Sequence, residues 1–403
     1  GDAEYDLLAE IVASGKTSRL YKTLVYETRI AQDIFASQSS REMSGTFSLT
    51  ATAAPGHDLA ELAAAIDAEL ALLLAKGVTR GEVDLARTRL RASAVRELQQ
   101  VGGFGGKADR LNRYNVLVGD PGFLKADLAR YDAADAASVN AWMRKFIDPA
   151  RRAVLWIVPQ GKLAAAAAVG DRTSLPDGSG TVDFTPPKVQ EATLPNGLQL
   201  YLVEKRELPL VEVRLAVRAG WADDPLDRRG TAALTADMLD EGAGSRDALA
   251  LSEAVESLGA ELRTSSNFDG TQVSLNVLRG QRDAALALLG DVALRPTFPE
   301  SEFERLRQSY RGRQKQEAAQ PQAQGLNEFQ RRCFGPDHPY AQPASGVGTP
   351  EALEALTRAD LRSFHGTWFV PRNAAVVVVG DLDLAEATAA VGRVFGGWRD
   401  APL

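Results

Sequence analysis

The stretch of sequence that decides the fold runs from residue 194 to residue 244 and contains LPNGLQLYLV (194–203), VRLAVRAGWADDP (213–225) and RRGTAALTADMLDEGAG (228–244). Residues 198–203 and 211–217 are rich in β-branched and aliphatic side chains and are joined by a turn near Pro209, which predicts two strands. Residues 228–241 carry apolar side chains at helical spacing, which predicts a helix. This part of the chain therefore opens with a strand pair followed by a helix.

Strands and helices also form separate groups in the rest of the chain. Beyond residue 244, the periodicity predicts strands at 261–266, 270–277 and 374–379 and helices at 283–294, 300–316 and 384–395. Before residue 164, it predicts strands at 31–39 and 45–53, helices at 59–76 and 80–100, and a short buried strand at 153–158. The predicted fold class is therefore α+β, with two tandem related domains that each carry an antiparallel sheet covered on one face by helices.

The boundary between the two regions lies where periodicity is lost. Residues 161–188 contain an alanine run followed by LPDGSGTVDFTPP, a composition that is typical of an interdomain linker. The sequence therefore predicts a first domain at residues 1–163, a linker at 164–188 and a second domain at 189–403.

Composition narrows the classes of function. The chain has 403 residues, of which 45% are hydrophobic and 25% are charged, and its formal net charge is −7. This balance is typical of a globular protein, and the sequence has no dense Lys/Arg stripe of the kind that binds nucleic acid. It also has no apolar run of the ~20 residues that a membrane span requires.

Residue types that carry chemistry are few and scattered. His57, His338 and His365 lie in separate segments, whereas a catalytic zinc requires about three ligands that converge. Residues 102–107, GGFGGK, form a glycine loop that lacks the spacing and the Ser/Thr of a phosphate-binding loop. A closely packed turn between two helices is the favoured interpretation, and a hinge or a substrate-facing loop is the alternative. Cys333 has no local signature of a catalytic thiol.

The order of motifs supplies a resemblance. The three opening segments are followed by ESLGAELRTSSNFDGTQVSL (256–275), RPTFPESEFERLR (295–307), DHPYAQPASG (337–346) and NAAVVVVGDLD (373–383). In this order they resemble the pitrilysin/insulinase family of zinc metallopeptidases, the inverzincins. The segment GKTSRLYKTLVYETRIAQDIFASQ (15–38) is similar to the one that opens the second repeat of each half in that family.

The resemblance places a metal site on the helix around residue 233, but this sequence has lost the ligands. Catalytic members carry H-x-x-E-H there, with two histidines on the metal and a glutamate that activates water. Ala233 stands at the first histidine, Ala236 at the glutamate and Asp237 at the second histidine, while Arg313 stands where the third ligand is expected. These degenerate positions imply no catalytic residue and no metal ligand in this chain, and they suggest that Asp237 pairs with Arg313.

The resemblance also implies that the first region has lost the residues of a second site, an Arg/Tyr pair. Family members carry an Arg/Tyr pair in the repeat that completes an active site, and here Val25 and Gln32 stand at those positions. The resemblance thus identifies residues 1–163 as the second repeat of a zinc-bearing half and implies that the N-terminal strand of this repeat is missing. Residues 189–403 are identified as a degenerate third repeat, an inactive peptidase domain.

The function implied by the resemblance is that of a non-catalytic middle segment of a zinc-dependent endopeptidase, which forms chamber wall and peptide-binding surface. The parent protein is expected to be a zinc metalloendopeptidase, whereas this chain is predicted to be inactive alone and to hold no cofactor. Expected partners are the zinc-bearing first repeat, the fourth repeat, and unfolded or short peptides, with a dimer as a further possibility. The bacterial periplasm is the expected location. The alternative is a wholly non-catalytic scaffold or assembly homologue of the same fold.

Overall fold

The structure is a computed structural model that describes residues 1–41, 43–148, 151–158 and 186–403. The predicted linker at 164–188 lies outside the described residues except for residues 186–188, which form no regular element. Two separate hydrophobic cores are present, one built from residues between Leu7 and Met143 and one from residues between Leu194 and Phe395.

The first domain, as far as it is described, consists mainly of helices. A π-helical turn at Tyr21–Glu27 follows the first helix. Its regular elements in chain order are α1 (Asp2–Ala13), β1 (Ala31–Ser40), β2 (Gly45–Ala53), α2 (Leu59–Lys76), α3 (Arg80–Glu97), α4 (Lys107–Val118), α5 (Leu124–Ala133) and α6 (Ala136–Phe146).

Side-chain caps set the starts of the long helices in this domain. Asp58 accepts a hydrogen bond from the Glu61 amide at 2.7 Å at the start of α2. At the start of α3, Thr79 accepts from the Glu82 amide at 3.3 Å while Glu82 accepts from the Thr79 amide at 2.7 Å. Each cap satisfies amides that have no partner inside the helix, which fixes where the helix begins.

The sheet of the first domain has two antiparallel strands, β1 and β2. The prediction of a strand at 153–158 is wrong, because residues 151–158 are described without a strand and are exposed. Leu155 and Ile157 are 84% and 81% exposed. A strand needs a neighbour for its amide and carbonyl groups, and in the described part of the chain β2 pairs only with β1.

The second domain contains the larger sheet. Its elements in chain order are β3 (Gln190–Thr193), β4 (Gln199–Glu204), β5 (Leu210–Val217), α7 (Thr231–Met238), β6 (Gly242–Ala243), β7 (Arg246–Asp247), α8 (Ala248–Ser257), β8 (Glu261–Ser266), β9 (Thr271–Leu278), α9 (Arg282–Leu294), α10 (Glu300–Ala319), α11 (Pro321–Phe334), α12 (Pro350–Ala355), α13 (Arg358–Trp368), β10 (Ala374–Gly380) and α14 (Leu384–Phe395).

Six of these strands form one sheet in the order β3-β4-β10-β5-β9-β8. The α+β prediction is confirmed, although β10 runs parallel to β4, so this sheet is mixed rather than purely antiparallel. Alternate residues of β5, β9 and β10 are buried. They form the inner face, which packs with the helices in one core. The other residues, among them Glu212 of β5 and Asn276 of β9, lie on the outer face because side chains alternate along a strand. Arg263 of the neighbouring strand β8 pairs with Ser274 and lies on the same face.

Candidate functional site

Helix α7 carries the three degenerate positions, and Asp224 fixes its start. The Asp224 carboxylate accepts hydrogen bonds from the amides of Gly230 and Ala232, each at 2.8 Å. Gly230 has a φ of +100°, so the helix cannot extend further back. The helix is therefore shorter than the predicted 228–241. Burial raises the pKa of Asp224 to about 7.

The side chains of α7 at the ligand positions offer one oxygen donor group. Ala233 and Ala236 are buried members of the apolar interior, and their methyl groups have no lone pair to give to a metal. Asp237 follows Ala233 by one helical turn, on the same face. The helix keeps its place in the core through Leu234 and Met238, both fully buried.

Helix α10 fills the space beside Asp237 with a phenol and a guanidinium. The Tyr310 hydroxyl donates to Asp237 Oδ2 at 2.9 Å, and Arg313 Nη1 lies 3.8 Å from the same oxygen. The guanidinium of Arg313 also lies 5.1 Å from the centre of the Tyr310 ring. The suggested Asp237–Arg313 pair is thus present as a long contact, and Tyr310 is the closer partner.

Sequence reasoning missed Tyr310, although a signal was available. Tyr310 precedes Arg313 by three residues in a predicted helix, so the two side chains share a face. Burial and the neighbouring carboxylate of Asp237 raise the pKa of Tyr310 well above its usual value. Burial also raises the pKa of Asp237, against the opposing influence of Tyr310 and Arg313.

These residues do not fit a catalytic zinc. Two of the positions are alanines, the Asp237 carboxylate is already bonded to Tyr310, and Arg313 places a positive charge beside it. Zinc sites require about three donors around the metal. Across the residues that the structure describes, no group of three or more His, Cys, Asp or Glu side chains could hold a metal ion.

Val25 and Gln32 of the first domain do not resemble the Arg/Tyr pair of the family. Val25 is buried in the π-helical turn, and Gln32 lies exposed in β1. Neither side chain carries a positive charge or a phenol. The neighbouring Tyr26, which the sequence did not single out, reaches the second domain and donates to Glu302 of α10 at 3.0 Å.

An ion cluster joins the two domains next to the end of α7. Lys16 Nζ of the first domain lies 3.2 Å from Asp240 Oδ2 and 2.9 Å from Glu241 Oε1. Arg305 Nη2 of α10 lies 2.8 Å from the same Glu241 oxygen, and its Nε lies 2.7 Å from Glu302. Burial alone would raise the pKa of Glu241, but the two cations hold it below its usual value.

Two further ion pairs between the domains involve arginines of α3. Arg89 Nη1 lies 3.6 Å from Glu256 Oε2, and Arg96 Nε lies 2.8 Å from Glu261 Oε1. Arg96 also donates to the Gly259 carbonyl oxygen at 2.8 Å. In these pairs, as with Lys16, the first domain supplies the cations and the second domain the carboxylates.

The three histidines lie in unrelated places. His57 is 2.9 Å from Glu61, and His338 accepts from the Tyr340 amide at 3.1 Å. His365 is directed at the Ala293 carbonyl oxygen at 2.9 Å, and burial lowers its pKa. None of the described helices is long and apolar enough to span a bilayer.

Comparison with known proteins gives two family matches. The model described as "Peptidase M16 inactive domain" matches residues 2–90 and 355–402. The model described as "Insulinase (Peptidase family M16)" matches residues 201–331. Together they account for well over half of the chain.

Curated relatives match about half of this chain. An uncharacterised zinc protease of Mycobacterium leprae is 27% identical over 208 residues, which are 52% of this chain and 46% of that protein. The zinc protease PqqE of Helicobacter pylori is 24% identical over 49% of this chain and 44% of its own length. A protein of the same organism named non-peptidase homolog YmxG is 23% identical over 45% of this chain and 42% of its own length. The matched region therefore covers less than half of the length of each of these relatives.

Solved structures give the same relationship. The M16 inactive domain from Pseudomonas fluorescens is 30% identical, with a TM-score of 0.51 over 53% of this chain and 52% of that one. A protease from Helicobacter pylori, 22% identical, has a TM-score of 0.50 over 54% of this chain and 52% of that one.

Proposed function

Because the chain belongs to the insulinase (M16) family of peptidases, we propose that it is a non-catalytic segment of a zinc-dependent endopeptidase. The observation that carries this proposal is the Asp237–Tyr310–Arg313 arrangement. A hydrogen bond and a guanidinium lie at the positions that the resemblance assigns to the family's metal ligands. A segment with this arrangement contributes surface rather than chemistry.

The surface it contributes is proposed to be chamber wall and peptide-binding surface. Strand β8 supports this proposal, because it is the last strand of the six-stranded sheet and pairs only with β9 among the described residues. An unpaired strand edge offers amide and carbonyl groups to an extended peptide. The polar outer face of the same sheet lies next to it.

The catalytic parts of the proposed peptidase would come from partner domains. The zinc-bearing first repeat would hold the metal and supply the activated water, and the fourth repeat would supply the Arg/Tyr pair that Val25 and Gln32 do not provide. Substrates would be unfolded or short peptides, and the periplasm is the proposed location. The edge of β2 that has no partner strand in the described part of the chain makes pairing between two copies a further proposal.

A second candidate is a wholly non-catalytic scaffold of the same fold. The relative named non-peptidase homolog favours it, since that name describes a protein of this family without the activity. The two candidates differ in whether the chain binds peptides.

The test measures zinc content, cleavage and peptide binding on the purified 403-residue chain. We expect no stoichiometric zinc by elemental analysis, no cleavage of fluorogenic peptides that a chelator abolishes, and saturable binding of an unfolded peptide by fluorescence anisotropy. One tightly bound zinc with chelator-sensitive cleavage would contradict the proposal. Absence of peptide binding together with absence of zinc would favour the scaffold.

A further inference from the structure

The beginning of strand β8 faces helix α3 of the first domain. A cavity of about 360 Å³ lies between them, and residues 259–263, which lead into β8, form one of its walls. Another wall belongs to α3 and is formed by Arg89, Leu90, Ser93 and Arg96. The strand edge that is proposed above to accept a peptide is therefore confined at its beginning by another part of the same chain.

Gly259 allows α3 to come this close. Its φ is +61°, and a side chain there would place its Cβ 2.9 Å from the Cβ of Ala92 on α3. Carbon atoms pack at roughly 3.5–4.0 Å, so any residue other than glycine would push the helix away. The helix thus lies directly against the residue that precedes β8 by two positions.

The backbone groups just ahead of β8 already have partners. The Gly259 amide donates to the Glu256 carbonyl oxygen at 2.9 Å. The Ala260 amide donates to the Val255 carbonyl oxygen at 3.2 Å. The Gly259 carbonyl oxygen accepts a hydrogen bond from Arg96 Nη1 at 2.8 Å. A peptide that adds to a strand edge needs free backbone groups, so it would compete with Arg96 for this oxygen.

Arg96 occupies a position that suits a guanidinium. While Nη1 bonds to the Gly259 carbonyl oxygen, Nε lies 2.8 Å from Glu261 Oε1. A carboxylate and a carbonyl oxygen together engage two donors of the planar guanidinium, which a neutral side chain cannot match. The Arg96 side chain is 14% exposed, whereas Arg263, the other cation beside Glu261, is 76% exposed. Without Arg96, Glu261 would keep only this exposed partner, which contributes little.

We propose that Arg96 is an intramolecular occupant of a guanidinium site at the beginning of β8, and that this site accepts an arginine side chain of an extended peptide. The inference rests on the proposed peptide-binding function and names its ligand class and its regulation. The peptide's guanidinium bonds to Glu261 and to the Gly259 carbonyl oxygen in place of Arg96, and the peptide backbone continues along β8. Because Arg96 and the peptide exclude each other, the apparent affinity of the chain is reduced by the fraction of molecules in which Arg96 fills the site.

The main experiment compares two labelled peptides on the full chain by fluorescence anisotropy. One is a decapeptide with a single central arginine, and the other carries citrulline there, which has nearly the same shape without the charge. We expect Arg96→Ala to bind the arginine peptide about 10-fold more tightly than the unmodified chain does, because the site is then vacant. The citrulline peptide should gain much less.

Two further variants test the assignment of the residues. Arg91→Ala is the matched control, since Arg91 is also an arginine of α3 but pairs with Asp132 of the first domain, and it should leave both affinities unchanged. Glu261→Gln removes the carboxylate, so it should abolish the preference for arginine over citrulline. Thermal melts check that each variant remains folded.

A measurement without peptide tests the guanidinium site by itself. We expect Arg96→Ala to melt at a lower temperature than the unmodified chain, and millimolar ethylguanidinium to raise the melting temperature of the variant more than that of the unmodified chain. A ligand that binds only the folded chain stabilises it. Ethylammonium is the control, because it carries the charge without the planar fork of donors. Absence of this rescue would overturn the guanidinium site.

The outcomes separate the site from the wider function. If Arg96→Ala and the unmodified chain bind the arginine peptide equally well, the peptide-binding function stands and the role of Arg96 is overturned. An equal gain for the arginine and citrulline peptides would overturn arginine as the ligand. If no chain binds either peptide although ethylguanidinium rescues Arg96→Ala, the guanidinium site stands, and the peptide-binding function is overturned together with the proposed ligand.

Discussion

Strand β2 of the first domain and strand β9 of the second have similar sequence patterns and different surroundings. Both alternate apolar and polar residues, GTFSLTATA in β2 and TQVSLNVL in β9. In β9, which lies between β5 and β8, Val273, Leu275 and Val277 are fully buried. In β2, which has β1 as its one described neighbour, Phe47, Leu49 and Ala51 are only partly buried. Alternation therefore predicts which side chains face inward, whereas the neighbouring strands determine how deeply they are buried.

The largest expected effect comes from truncating the same residue type in both strands. Leu275→Ala in β9 should lower the free energy of unfolding by about 2–5 kcal/mol, because Leu275 is fully buried and the change leaves a cavity. Leu49→Ala in β2 should cost about 1 kcal/mol. Urea unfolding followed by circular dichroism measures both. Equal losses of unfolding free energy would show that β2 is as well packed as β9, which would contradict the difference in burial between the two strands.

A tyrosine–aspartate pair in each domain gives the next contrast. Tyr310 donates to Asp237 of α7, and Tyr131 donates to Asp6 of α1 at 2.5 Å. Tyr310→Phe should cost about 1–2 kcal/mol, because it removes a hydrogen bond of the buried Tyr310 and leaves a partly buried carboxylate oxygen with only a long contact to Arg313. Tyr131→Phe should cost less, since Tyr131 is partly exposed. Thermal and urea unfolding measure both losses. A larger loss for Tyr131→Phe than for Tyr310→Phe would show that the Tyr310–Asp237 hydrogen bond is not the more stabilising of the two.

The ion cluster between the domains predicts a smaller effect. Lys16→Met removes the cation shared by Asp240 and Glu241 and should cost about 1–2 kcal/mol, less than for a fully buried pair because Lys16 is partly exposed. Unfolding in urea at low and high salt measures it, and the loss should shrink at high salt. Lys22→Met is the control, because Lys22 is exposed, and its substitution should change nothing; equal effects would rule out a specific role for Lys16.

Among the described residues, one edge of β2 has no partner strand, and this edge predicts a difference in association rather than in folding. β2 contains no charged residue and no proline, the features that commonly protect strand edges from pairing. Thr50→Lys should therefore reduce any concentration-dependent self-association seen by analytical ultracentrifugation. Ala60→Lys adds the same charge on the exposed side of α2 and should leave it unchanged. Self-association that is identical in both variants would place the contact elsewhere.

The last prediction concerns the pH dependence of stability, which is confined to mildly acidic pH. Burial raises the pKa of Asp6 to about 6, although its hydrogen bond with Tyr131 acts in the opposite direction. A carboxyl group whose pKa is higher in the folded chain than in the unfolded chain stabilises the fold at low pH, and this contribution disappears as pH rises through about 4 to 6. Asp6→Asn should therefore remove about 1–2 kcal/mol of pH dependence between pH 4.5 and pH 7. An unchanged pH profile of the urea midpoint would contradict this.

The sequence alone determined the α+β class, and it predicted the degenerate character of the site. Strands and helices could be predicted because periodicity is local and is set by residue type. The site could be judged without a structure because the side chains of Ala233 and Ala236 have no atom that can bind a metal in any fold. Residue chemistry of this kind does not depend on tertiary contacts.

Only the tertiary structure decided which residues meet. Tyr310 bonds to Asp237 and Lys16 bonds to Glu241 across long stretches of chain. The local pattern shows that Tyr310 and Arg313 share a helix face, but it does not show which residue that face contacts. The failure of residues 153–158 to form a strand has the same cause. Their apolar sequence favours a strand, but a strand forms only where another edge offers amide and carbonyl partners. Local sequence specifies the propensity, and the partners come from distant parts of the fold.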